Sequence, residues 1–195
     1  MPDIRVTRTD NLLCEAMEKL LASKPYDAIS VSELCKLSTV QRGTFYRHFE
    51  DKSDFFKYYL NTITERLLSE AAAEGEVLDD LERYAKTMHL RLIAFFEDHP
   101  RFVRNSLGGD VSLSIVDMAV TQIAKGITER AQRQAENGEC RLCVPPDFLG
   151  RFYAGGMIQI LRWWLLEDSP LSKDELERHS NSILLHCLEK PGDTA

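Results

Sequence analysis

Between Ser30 and Lys52 the chain reads SVSELCKLSTVQRGTFYRHFEDK, a stretch that gathers side chains suited to holding and reading DNA. Gln41 and Arg42 carry the amide and guanidinium forks that match base edges, and Thr44 offers a methyl to thymine or a hydroxyl to a phosphate. Tyr46, His48 and Lys52 are spaced to donate to the phosphate backbone, which fixes register without reading sequence. With Ser32, Gly43 and Arg47 they make up the expected DNA-facing set.

These side chains need a short helix presented outward, and the neighbouring residues supply one. Ser30 with Glu33 fits a capping box, in which the serine covers one free backbone N–H and the glutamate reaches back to another, so a helix starts there. Val31, Leu34 and Cys35 form its buried side. After a polar break at Ser38-Thr39, Val40, Phe45 and Phe49 give the next helix an apolar face and leave the polar and basic residues on the opposite one. Such a helix fits the B-form major groove, with flanking cations on phosphates. Asp51 then caps a further helix with Asp54 in its first turn, and the free N–H groups there would add a phosphate contact. A plainer alternative is a helical hairpin whose polar face is only solvated.

The run Gly43-Thr44-Phe45-Tyr46-Arg47-His48-Phe49, followed by Asp51-Lys52-Ser53-Asp54-Phe55, resembles the N-terminal DNA-binding domain of the TetR family of bacterial transcriptional regulators. The resemblance covers roughly residues 7 to 65, including Leu12, Leu13, Ala16, Met17, Leu20 and Leu21 at helical spacing and the Tyr26-Asp27-Ala28-Ile29 connection. It departs at one place: the family usually has glycine in the turn between the two helices, and Thr39 stands there, so the turn either avoids positive φ or accepts strain. The resemblance implies a homodimer that sets two recognition helices on the half-sites of a palindromic operator. It also implies a C-terminal domain whose bound small-molecule effector shifts the two heads apart. The Phe152-Tyr153-Ala154-Gly155-Gly156 and Trp163-Trp164-Leu165 elements are similar to TetR members related to a dihydroxyacetone kinase operon activator, in which control can pass through a protein partner instead.

Charge argues against DNA at first, since 24 Lys and Arg face 31 Asp and Glu in 195 residues, a net −7, and an acidic protein is repelled by phosphates. Residues 1–60, however, hold nine of each sign, so the whole acidic excess lies beyond them. Arg5, Arg8, Arg42, Arg47, Lys52 and Lys57 can gather on one side, which predicts moderate nonspecific affinity with a clear salt dependence. Arg5 and Arg8 either reach an adjacent groove or stay solvated. The start, MPDIRVTRTD, lacks the apolar stretch of a secretory signal and no later run is long enough to span a bilayer, so a cytoplasmic location is expected.

From Phe55 onward the periodicity is helical, without the alternation of a sheet. The expected fold is all-α with about nine helices: residues 1–52 as the helix-turn-helix domain, 53–75 as a connecting helix, 76–190 as a regulatory and dimerisation domain, and 191–195 as a tail. Leu78, Leu81, Ala85, Met88, Leu92 and Phe95 form one stripe, and Ile115, Ala119, Ile123, Ile127 and Ala131 another, with breaks at Pro100, Gly108-Gly109 and Asn137-Gly138. Candidate effector contacts are Met88, His89, Arg91, Phe95, Phe102, Met118, Gln122 and Trp163, each of which also reads as core or surface. His89, Arg91 and Arg162 could take an anion or pair with nearby carboxylates.

Phe148 to Leu166 is apolar on nearly every side, so it needs cover on two faces. The closing helix starts at a second capping box, Ser172 to Glu175. The expected dimer interface uses Phe152, Gly155, Gly156, Ile160 and Trp164 from the first and Leu176, Ile183, Leu184 and Cys187 from the second. Adjacent tryptophans on a helix point about 100° apart, so Trp163 and Trp164 do not readily enter one core, although both as monomer core is the bland alternative.

Cys140 and Cys143 form a C-x-x-C motif in an expected loop. Zinc normally takes four ligands, and His186-Cys187 is the only other candidate cluster; a thioredoxin-type site would want a βαβ setting. Cys14, Cys35 and Cys187 fall on apolar faces and read as packing residues. No cofactor and no metal are expected. No nucleophile, base and oxyanion hole assemble and no phosphate-cradling glycine loop is present, so the chain is not expected to be an enzyme. The expectation is a DNA-binding transcriptional regulator, a homodimeric repressor on a palindromic operator under effector control. Its alternatives are a partner-dependent activator of the same fold, a thiol-based sensor using Cys140 and Cys143, and a helical interaction module without DNA.

Overall fold

The computed structural model describes residues 8–76, 78–107, 113–139, 141–167, 169–186 and 188–189. Arg5, Gly108, Gly109, Cys140 and Cys187 lie outside them, as do the side chains of Ile115 and Leu184. Helix α1, Arg8–Leu21, buries Leu13, Ala16, Met17 and Leu21 at spacings of three and four. A single turn of tighter helix, Tyr26–Ala28, leads to α2, Val31–Ser38.

The capping box forms at α2: Glu33 N–H donates to Ser30 Oγ at 3.2 Å and Ser30 N–H to Glu33 Oε2 at 3.1 Å. Lys24 Nζ reaches Glu33 at 2.5 Å, and this hydrogen bond, followed by those from Ser30, lowers the carboxyl to about 2. At the turn, Thr39 adopts φ 58°. The chain thus takes the strained course: Val40 N–H returns to Cys35 O at 3.1 Å, the bond that closes a helix through a left-handed residue.

Helix α3, Arg42–His48, is anchored by Phe45, which is fully buried and meets Phe49 and Phe55 ring to ring at 5.7 and 5.9 Å. Helix α4, Lys52–Ala73, begins at Asp51, whose Oδ1 accepts from Asp54 N–H at 2.8 Å. It runs 22 residues and ends before Gly75, at φ 88°.

Helices α5 (Leu81–Asp98), α6 (Pro100–Leu107), α7 (Leu113–Glu136), α8 (Pro146–Leu166) and α9 (Lys173–His186) form the rest. The second capping box is present at α9, with Glu175 N–H to Ser172 Oγ at 3.3 Å and Ser172 N–H to Glu175 Oε2 at 2.9 Å. Leu78 precedes α5. The α7–α8 pair is the most intimate in the chain, because Gly150 lets the backbones approach: a Cβ there would stand 2.2 Å from Thr128 Oγ1 and 2.7 Å from the Ala124 carbonyl oxygen. Where a loop was expected around Cys143, Arg141–Leu142 (β1) pairs antiparallel with Leu188–Glu189 (β2), a ladder too short for alternation to announce it.

One continuous apolar core runs from α1 to α9. Polar bonds also join the N-terminal head to the body: Asn105 donates to the Leu21 carbonyl at 2.7 Å, closing the C-terminus of α1, and His99 Nε2 lies 3.7 Å from Glu18.

Candidate functional site

The outer face of α3 presents Gln41, Arg42, Gly43, Tyr46, Arg47 and His48 exposed and Thr44 half-buried, with Ser32 exposed on α2 beside them. Nothing stands within 4 Å of where a Cβ would sit on Gly43, so the front of the helix is open. The Arg42 guanidinium lies 5.9 Å from the Tyr46 ring centroid, and Arg47 donates to Thr44 Oγ1 at 3.2 Å. Tyr46, 49% exposed, leaves a large aromatic surface beside the Arg42 guanidinium. Leu37 on α2 is exposed as well, an apolar surface residue that the sequence reading did not single out.

Lys52 and His48 are tied inward as well as being placed at this surface. Lys52 Nζ donates to the Tyr26 and Ile29 carbonyls at 2.9 and 2.8 Å and sits 4.1 Å from the Tyr26 ring centroid. Two of its three N–H donors thereby clamp the tight turn before α2, leaving one for a phosphate; burial lowers its pKa, opposed by Asp27. His48 Nδ1 lies 2.9 Å from Asp10 Oδ1, a carboxylate buried in α1 that the sequence reading passed over. The signal was available: Asp10 shares the stripe of Leu13 and Met17, where an acid is out of place.

In the body, a cavity of about 40 Å³ lies among five helices, lined by Leu60, Ile63 and Thr64 of α4, Leu92, Phe95 and Phe96 of α5, Phe102 and Ser106 of α6, Ala119, Gln122 and Ile123 of α7, and Ile158 of α8. Phe95, Phe102 and Gln122 of the expected effector contacts meet there. The Ser106 hydroxyl is buried without a hydrogen-bond partner, and Gln122 donates to the Asn61 side chain of α4.

The other expected contacts stand elsewhere. Met88 is core, Met118 packs half-buried against it, and Trp163 is half-buried. Arg91 is bonded to Glu74, so that guanidinium is already neutralised. His89 is fully buried with neither ring nitrogen bonded, and desolvation lowers it to about 4. It is therefore neutral near pH 7 and a poor anion ligand. Arg162 donates to Gln159 at 3.4 Å and buries its Nε without a partner.

Along α8 and α9 an apolar strip faces outward. Phe148 and Phe152 are 56% and 59% exposed and stack at 5.9 Å; Phe152 and Ile183, the latter 48% exposed, line a cleft with Tyr153, Gly156, Met157, Ile160 and Ser180. Gly155 and Gly156 have open space above them. Leu176 is buried within the chain. Trp164 is half-buried, packs on the core and donates its indole N–H to the Leu171 carbonyl at 2.7 Å.

Cys14 and Cys35 are free thiols, half-buried and buried, and Cys143 is exposed. Desolvation first, and Asp10 second, push Cys14 up to about 12, and burial raises Cys35, so both hold little thiolate. No described helix is long and apolar enough to cross a membrane.

Residues 13–59 match the bacterial regulatory proteins, tetR family. The nucleoid occlusion factor SlmA of Alteromonas mediterranea is 28% identical over 135 residues, spanning 69% of this chain and 68% of the relative. SlmA of Vibrio campbellii is 29% identical over 104 residues, about half of each chain (51%). Among solved structures, a TetR-family transcriptional regulator from Syntrophomonas wolfei superposes with TM-score 0.65 at 18% identity, covering 91% of this chain and 93% of that one. The dihydroxyacetone kinase operon activator DhaS gives 0.57 at 16% identity, covering 92% and 95%. These two share the all-α fold with this chain.

Proposed function

We propose that this TetR-family DNA-binding regulator works as a homodimeric repressor on a palindromic operator, with residues 1–52 as the reading head, 53–75 as connecting helix and 76–190 as the regulatory and dimerising body. One observation carries the reading: α3 sets Gln41, Arg42, Tyr46, Arg47 and His48 on one open face while Phe45 locks the opposite side into the core. A helix so mounted enters a major groove with Gln41 and Arg42 toward base edges and Tyr46, His48 and Lys52 toward phosphates. The apolar strip of Phe148, Phe152 and Ile183 is the surface proposed for self-association, a position that would space two heads across a twofold axis.

Effector control is assigned to the cavity bounded by α4, since the Gln122–Asn61 bond ties its wall to the helix that carries the head. Its lining favours a neutral, mainly apolar molecule with one hydrogen-bonding group for Ser106. A second reading rests on size: about 40 Å³ accommodates only a few water molecules, which favours control by a protein partner over a ligand that finds its pocket preformed.

Selection of bound sequences from a random DNA library, by the wild type and by Arg42→Ala at one salt concentration, tests the central claim. Recovery of a palindrome that the variant degrades supports it; no enrichment by either protein sinks it in favour of a helical module without DNA. Light scattering of the wild type and Phe152→Asp tests the dimer, which the substitution should dissociate.

A further inference from the structure

Among the described residues the head buries one carboxylate, Asp10, only 6% exposed. It occupies an apolar stripe of α1 and spends its Oδ1 on Nδ1 of His48, at 2.9 Å, 38 residues away. An ionised carboxylate only accepts hydrogen bonds, so Nδ1 must carry the proton. A neutral imidazole with its proton on Nδ1 has a bare lone pair on Nε2, which repels a phosphate oxygen. His48 is exposed on α3, so its ring can meet DNA only through the side that Asp10 leaves free.

We propose that Asp10 is a positioning residue that restricts His48 to a single DNA-binding form, the imidazolium, so that each head takes up a proton as it engages a phosphate. The inference rests on the DNA-binding reading above. Its balance is simple: the neutral ring gains one solvent proton on Nε2, Nδ1–H stays on Asp10, and the new Nε2–H donates to a phosphate oxygen. An anion then stands at each end of the ring, and both favour the charged form.

Two other groups near the pair, a thiol and a phenol, stay neutral near pH 7. From α1 there is Cys14, one turn beyond Asp10, pushed up to about 12 by burial and by Asp10. From α4 there is Tyr58, its hydroxyl buried without a partner and its pKa raised by the same two causes. On α3 Arg47 is bonded to Thr44, and in the following turn Asp54 accepts from Glu50 N–H at 3.1 Å. A proton taken up on binding is assigned to His48, whose Nδ1 faces Asp10 and whose Nε2 is left for the phosphate.

The test is fluorescence anisotropy of a labelled short duplex of arbitrary sequence, titrated at constant low salt from about pH 8 to about pH 6. Wild-type affinity should rise as pH falls, approaching about tenfold per pH unit for each engaged head. His48→Gln should bind more weakly at low pH with that slope removed. Asp10→Asn separates positioning from mere packing, because its amide can donate to Nδ1 and leave the proton on Nε2; it should bind more tightly than wild type at the alkaline end and respond little to pH. Melting curves establish that the variants are folded, and if Asp10→Asn is not, ¹⁵N shifts of wild-type His48 decide whether Nδ1 is the protonated nitrogen. Wild-type binding without a pH slope, a slope that survives His48→Gln, or an Nε2–H tautomer overturns the inference while the DNA-binding reading stands. Failure of the wild type to bind duplex at any pH removes both together.

Discussion

The head and the body treat buried polar groups differently. In the head, Asp10 is spent on His48, Ser38 Oγ on the Cys35 carbonyl at 3.3 Å and Lys52 on two carbonyls; on the connecting helix the Tyr58 hydroxyl is buried without a partner. In the body, both nitrogens of His89, the hydroxyls of Ser106 and Tyr153 and the Nε of Arg162 are buried with no partner. Each such orphan costs on the order of 1–3 kcal/mol. The head is thereby a fixed shape that holds a surface in place, whereas the body keeps polar groups whose needs a ligand, a partner or a rearrangement can meet.

Gly150→Ala makes the largest test of that contrast. The added methyl would press on Thr128 Oγ1 and on the Ala124 carbonyl, and the backbone contact cannot be relieved by a rotamer change. Forcing α7 from α8 should cost about 3 kcal/mol, read as a lower melting temperature. If the head is an independent shape, duplex affinity well below the melt stays near wild type; a proportional loss of affinity would show that the two regions are one mechanical unit.

His89 gives the next effect, with a definite sign. Its folded pKa, about 4, lies below the ordinary 6.5, so between those values the unfolded chain binds a proton that the folded chain refuses. Stability therefore falls as pH drops from about 6.5 to about 4, by roughly 3 kcal/mol, and is fully present above that window. His89→Leu should remove this acid sensitivity and, by deleting two orphaned nitrogens, raise stability at pH 7 by about 1–3 kcal/mol. Urea midpoints at pH 7 and pH 5 measure both; an unchanged pH slope in the variant would mean that His89 is reached by water.

Arg42→Ala addresses the head's surface. It should lower operator affinity by about 1–3 kcal/mol and relax base preference, whereas a lost phosphate contact at Lys52 should weaken all sequences alike and reduce the salt slope by about one. Equal losses on operator and random duplex from Arg42→Ala would demote that residue to a phosphate contact.

Local chemistry was legible in the sequence and long-range pairing was not. Ser30 with Glu33, Asp51, Ser172 with Glu175 and the stop at Asn137-Gly138 each announce an element boundary within a few residues, because a cap is satisfied by its own helix. The Phe45 and Phe49 spacing gives the side of α3 that is buried, hence the side that is open. Nothing local says that Asp10 will meet His48, or that Lys52 will turn back onto the carbonyls of Tyr26 and Ile29. The cavity draws on five helices at once, so stripes containing Phe95, Phe102 and Gln122 suggested lining residues without excluding Met88 or Arg91, which lie on the same helix as Phe95.

Thr39 carries the smallest expected effect and asks whether the head holds strain of its own. A β-branched residue at φ 58° crowds its Cβ against the following carbonyl, at about 1–2 kcal/mol. Glycine relieves this but loses the Oγ1 bond to Ser38 O at 2.6 Å and gives back about 0.5–1 kcal/mol through the freer unfolded chain. Thr39→Gly should therefore stabilise the head by about 1 kcal/mol at most, seen as a small rise in urea midpoint, with duplex affinity unchanged because Val40 N–H still closes α2 on Cys35. Thr39→Val, which keeps the branch and drops the hydroxyl, should move the midpoint down. If both substitutions lower it alike, the hydroxyl outweighs the torsion, and the head is as free of backbone strain as it is well supplied with partners for most of its buried polar groups.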